Sequence, residues 1–111
     1  MLLMGAWMKE RNKTALTEAI IKKILKQHNA LLKRYTVKKI GLFGSFVRKT
    51  QTKRSDVDFL VELEEPTFDN FMELAFSLEK LLGKKVDLVT NGSLSPYIRS
   101  YVEKEVRWCE V

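Results

Sequence analysis

The stretch Gly44-Ser45-Phe46-Val47-Arg48-Lys49, joined by a short polar loop to Ser55-Asp56-Val57-Asp58-Phe59-Leu60-Val61, decides the reading of this chain. The second half is apolar and rich in strand formers, and it predicts a strand over residues 56–62. Side chains alternate along a strand, so residues i and i+2 share a face with Cα atoms roughly 6.6 Å apart. Asp56 and Asp58 are therefore expected to converge. Two carboxylates on one face repel each other unless a cation lies between them. Mg²⁺ takes few protein carboxylates and completes its shell with water and phosphate oxygens. Upstream, residues 37–43 read as another strand. Gly44-Ser45 at its end offers a residue without Cβ, a backbone N–H and a hydroxyl, the groups that let a chain approach a phosphate closely. Taken singly, each feature has a plainer reading: aspartates solvate strand ends and glycines make turns. Taken together, they point to a metal-dependent phosphate site and hence to a nucleotide.

A third acid strengthens that reading. In Lys84-Lys85-Val86-Asp87-Leu88-Val89, one carboxylate interrupts a short apolar run. Burying an ionised carboxylate costs several kcal/mol unless it is paired or metal-bound, so Asp87 is expected to have a metal or a cation partner. A salt bridge to Lys84 or Lys85 is the structural alternative, with Lys85 on the same face of the strand as Asp87.

Gly44-Ser45, the basic stretch after it, Ser55-Asp56-Val57-Asp58 and the later Asp87 resemble the polymerase-beta superfamily of nucleotidyltransferases. Within it they are most similar to the minimal nucleotidyltransferases that partner HEPN-domain proteins. The resemblance covers residues 37–111, and the ordered set of motif plus third acid is specific to the superfamily, though not to a substrate. It implies that Gly44, Ser45 and Arg48 hold the triphosphate of ATP, and that Asp56 and Asp58 bind two Mg²⁺ ions. Asp87 would complete the metal site or act as the base. It implies further that AMP passes to a hydroxyl of a HEPN-domain toxin, a tyrosine, which makes this chain an antitoxin. The commoner pattern of the group is Gly-Ser-x-Ala-Arg-Gly, from which Val47 and Lys49 depart while Arg48 conforms.

Length and composition set bounds. A chain of 111 residues, 45% hydrophobic, is expected to form one domain over residues 14–111, with residues 1–13 as an extension. The extension is too short to span a membrane, and its charges follow its apolar segment, so neither a membrane anchor nor a signal peptide is expected. A single cysteine, Cys109, excludes an internal disulfide and fits a reducing cytoplasm. The net charge of +6 is concentrated in part at residues 48–54, four of which are basic. A basic loop beside a triphosphate steers anions and offsets charge on departing pyrophosphate. Nucleic acid is a weaker match, because the lysines are dispersed and lack interleaved aromatics. Two rival classes are a binding module with a decayed site and a basic nucleic-acid-binding protein. Self-association is left open.

The periodicity predicts one long amphipathic helix over residues 15–35 with Thr14 as its N-cap, in which His28 is an ordinary member. A second helix is predicted over 68–82, ended by Gly83, and a third strand over 85–89. Asn91-Gly92 marks a turn, and Ser95-Pro96 opens a last helix running to Glu105. The alternating tail 106–111 suits a short edge strand. The expected fold is α/β (α+β), polymerase-beta-like, with a small mixed sheet, helices packed on one face and the acids on the other.

Overall fold

The computed structural model describes residues 15–110. In order they form α1 (Glu18–Gln27), α2 (Asn29–Arg34), β1 (Val37–Phe43), α3 (Ser45–Arg48), β2 (Val57–Leu63), α4 (Phe68–Leu82) and β3 (Val86–Thr90). A 3-10 turn (Asn91–Ser93), α5 (Pro96–Glu105) and β4 (Arg107–Cys109) complete the chain. The four strands make one mixed sheet in the order β3-β2-β1-β4. β1 pairs antiparallel with β2 and β4, whereas β2 and β3, joined through α4, are parallel.

Local sequence explains most of these elements. Thr67 caps α4, its side chain accepting from the Asn70 N–H, and Gly83 ends it in the left-handed conformation with φ 66°. Ser95 caps α5 ahead of Pro96 at the first helical turn. The tail strand is confirmed but shorter than expected, pairing Arg107 to Cys109 with β1. Expectations for Thr14, for residues 1–13 and for Val111 fall outside the described residues.

The long N-terminal helix is a correction. It is two helices meeting at His28, which closes α1 and opens α2 with φ −116° and ψ 32°. The His28 ring Nδ1 lies 2.9 Å from the Ile24 carbonyl oxygen. A side chain bonded to the carbonyl one turn back competes with the helical ladder, and Asn29, which favours caps over helix interiors, follows at once. The cap of α1 is Thr17, whose Oγ1 accepts from the Ile20 N–H at 3.3 Å.

Alternation divides the sheet. Val57, Phe59, Val61 and Leu63 of β2 are buried in one core with Ile21 and Leu25 of α1 and Leu74 and Leu78 of α4. Asp58, Leu60 and Glu62 belong to the opposite face. That face is partly covered. Leu60 and Val102 of α5 are both buried outside the main core. A Cβ at Gly41 would strike Val106 and approach Trp108 Cε3 to 2.9 Å.

Candidate active site

Sheet topology assembles the site. Because β1 runs antiparallel to β2, its C-terminal end lies beside the start of β2, and Phe43 pairs with Asp58. β3 runs parallel to β2, so the two strands start together and Asp58 pairs with Asp87. Paired residues on neighbouring strands share a face at a spacing of roughly 4.8 Å. The acids from two separate strands thus stand side by side, next to the residue that follows β1, Gly44.

Gly44 has φ 80° and ψ −151°, a conformation essentially reserved for glycine. There is also no room for a side chain. A Cβ at this position would collide with Asp58 Oδ2 and lie 3.0 Å from Asp58 Cγ. The backbone that turns from β1 into α3 therefore rests against the Asp58 carboxylate, with Ser45 next in the chain and the Arg48 charge reaching Asp58. The two departures from the family pattern are accommodated. Val47 packs against the core, and Lys49 takes the left-handed conformation, φ 61° and ψ 34°, that the usual glycine adopts readily. The loop keeps its bend with a residue for which that bend is strained.

Asp58 is only partly exposed, and its carboxyl is pushed up to about 6. Burial contributes most, followed by the charges of Asp87 and Asp56. Arg48 opposes the shift and Glu105 adds to it. Asp56 lies one residue before β2, so strand alternation does not fix its direction. It is exposed, although its charge reaches Asp58. Asp87 is exposed as well, which corrects the expectation of a buried acid. Its place in the site comes from register with Asp58. The lysine alternative finds no support, because Lys84 Nζ instead donates to the carbonyls of Lys53, at 3.0 Å, and Ser55, at 3.3 Å. Among the described residues, none of the three acids forms an ion pair.

One residue at the site was not foreseen. Glu105, the last residue of α5, accepts from the Gly44 N–H through Oε2 at 3.0 Å and from Arg48 Nη1 through Oε1 at 2.7 Å. It is 61 positions from Gly44, and nothing in its neighbourhood in sequence distinguishes it from a solvated helix-end glutamate.

The donor set suits a hard divalent cation. It consists of carboxylates alone, and the Asp58 carboxyl is raised first by burial and then by the neighbouring charges of Asp87 and Asp56, both of which a bound cation would offset. Among the described residues, no group of three or more His, Cys, Asp or Glu side chains is gathered so that it could hold a metal ion. Mg²⁺ needs none, since it binds through one or two carboxylates with water and substrate phosphates in the remaining positions.

The mixed sheet thus bears acids at the starts of two parallel strands, with a glycine turn against one of them, Asp58. The chain belongs to the nucleotidyltransferase domain family, whose sequence model matches residues 19–109. It is 46% identical over 93 residues to the protein adenylyltransferase MntA of Thermococcus cleftensis, covering 82% of this chain and 94% of that protein. It is similar to a solved structure provisionally described as a minimal nucleotidyltransferase, with 31% identity and a TM-score of 0.66 over 78% of this chain and 93% of that one. It is also similar to a crystal structure of a toxin–antitoxin with AMP-PNP, with 29% identity and a TM-score of 0.63 over 75% of this chain and 69% of that one. Among the described residues, no helix is long and apolar enough to cross a membrane.

Proposed function

We propose that this chain transfers AMP from ATP to a hydroxyl of a partner protein, and that the partner is a HEPN-domain toxin which the modification silences in the cytoplasm. The observation that carries the reading is the register pairing of Asp58 with Asp87 beside a Gly44 backbone that rests on the Asp58 carboxylate. The adenylyltransferase name of the Thermococcus cleftensis relative and the AMP-PNP in the toxin–antitoxin structure support the nucleotide and the acceptor class.

In this reading Asp56 and Asp58 hold Mg²⁺, with Asp87 completing the site. The ions, when bound, neutralise phosphate charge and stabilise the attacking and leaving oxygens of an in-line displacement. The protein's own residues supply position and electrostatics. Gly44 lets the triphosphate approach the backbone, the Ser45 hydroxyl is available to a phosphate oxygen, and Arg48 offers a planar cation to the phosphates. The acceptor oxygen bonds to the α-phosphorus, the bond from that phosphorus to the β-phosphate bridging oxygen breaks, and pyrophosphate leaves. Alternatively Asp87, which is exposed, would act as the base that takes the hydroxyl proton.

The choice of label tests the reaction class. With Mg²⁺ and the partner present, α-labelled ATP should label one partner tyrosine and γ-labelled ATP should not. Labelling from γ-labelled ATP means phosphoryl transfer and overturns the proposal, as does label that survives Asp58→Asn.

A further inference from the structure

The Gly44 backbone and the Arg48 guanidinium are two of the groups that the proposed function sets against the nucleotide phosphates, beside the Ser45 hydroxyl. The single Gly44 N–H is taken by a carboxylate of the protein itself, at 3.0 Å from Glu105 Oε2, and the same carboxylate accepts one of the five N–H donors of Arg48, Nη1 at 2.7 Å from Oε1. The Glu105 side chain is largely buried, at 13% exposure, whereas Arg48 stands at 47%. The anion is therefore the fixed member of the pair. Two oxygens of one planar group span a backbone N–H and a guanidinium, much as two oxygens of one phosphate would.

We infer that Glu105 is an internal anion holding the phosphate donors of the nucleotide-free site, and that the incoming triphosphate binds by displacing it. The inference rests on the assignment of phosphates to Gly44 and Arg48. Its physical basis is mutual exclusion. One N–H directed at a carboxylate has no second strong bond to give, and a triphosphate placed beside Glu105 would meet like charge at hydrogen-bond distance. Glu105 also ends α5, so its release removes one tie between that helix and the turn at Gly44. Nucleotide occupancy and the seating of α5 are thereby linked. A merely supporting Glu105, which orients Arg48 for the ligand, has the opposite consequence: its loss weakens nucleotide binding.

Titration of Mg²⁺·AMP-PNP into the parent chain and into Glu105→Ala, Glu105→Gln and Arg48→Ala separates these cases, with melting temperatures measured without nucleotide as a control for folding. Removal of the competing anion should lower Kd roughly fivefold in Glu105→Ala and by less in Glu105→Gln, which keeps hydrogen-bonding capacity without the charge. A lower Kd in either variant that melts as the parent does supports displacement. A Kd that is unchanged or raised in both overturns it. Arg48→Ala reports on the underlying assignment. Weaker binding there, with no gain in either Glu105 variant, leaves the phosphate site standing and removes only the displacement. Parental binding in Arg48→Ala removes the phosphate assignment and the displacement with it.

Discussion

At the scale of single residues, Asp58 carries the strongest physical signature. Its carboxyl ordinarily titrates near 3.8 and is pushed up to about 6 in the folded chain. The folded state therefore holds more protons than the unfolded state between those values. Stability falls as pH rises from about 4 to about 6, and above that window the loss is complete and no longer changes with pH. In chelator, Asp58→Asn should remove that slope and stabilise the chain at pH 7 by roughly 1 kcal/mol, a figure reduced for solvent screening. Urea unfolding at pH 4 and pH 7 measures both effects, and a variant less stable than the parent at pH 7 contradicts this picture of the site. Lys49 makes an independent prediction. It occupies a left-handed conformation with φ 61°, so Lys49→Gly should relieve strain and stabilise the chain by about 0.5–1 kcal/mol. A loss of stability on that change means that the Lys49 side chain makes a compensating contact. Gly44 was legible as a glycine at a strand end and Asp58 as an acid in a strand, whereas Asp56 lies before β2, so the strand spacing expected to set it on one face with Asp58 does not apply to it. Asp87 was found for an incomplete reason. Its role depends on pairing with Asp58 across 29 positions, which only the parallel register of β2 and β3 creates.

At the scale of elements, punctuation decided what was legible. β1 and α4 run over the residues expected of them, and α5 from Pro96 to Glu105, because Thr67, Gly83 and Ser95-Pro96 state their own boundaries. The break at His28 was hidden, since an apolar stripe continues on both sides of it and a histidine bonded to the Ile24 carbonyl leaves no mark in the pattern. A second hidden device joins α2, β1 and α4. Thr36, left-handed with φ 57°, accepts from the Glu65 N–H at 3.1 Å. Asn70 Nδ2 donates to the Tyr35 carbonyl at 2.7 Å and to the Glu65 carbonyl at 3.1 Å. Those carbonyls belong to the segments entering β1 and leaving β2. Asn70→Ala should therefore destabilise the fold by about 1–2 kcal/mol while leaving nucleotide binding unchanged. Denaturant unfolding and AMP-PNP titration check the two halves, and a change in Kd without a change in stability contradicts the assignment of Asn70 to the scaffold.

At the scale of the whole molecule, the mixed sheet with its core helices on one side was legible from the alternation of strand and helix signals. What the alternation does not show is that α5 returns to the acid-bearing side and delivers Glu105 to Gly44. That contact joins the end of the last helix to a turn in the first half of the chain, and no local pattern encodes it. The side that carries the candidate site otherwise stays open: Asp56, Asp87 and Arg48 are all exposed. An open site admits water, so a partner that covers it both excludes water and presents its hydroxyl at high effective concentration. Transfer by the isolated chain is expected to be slow and to accelerate sharply when the partner is added. The most direct measurement is intact-mass analysis of this chain mixed with the proposed HEPN-domain partner, ATP and Mg²⁺, run beside chelator-treated and Asp58→Asn samples. An AMP adduct on the partner, present in the complete mixture and absent from both controls, is the result expected. An unmodified partner, or an adduct that persists in chelator or with Asp58→Asn, contradicts metal-dependent adenylyl transfer at this site.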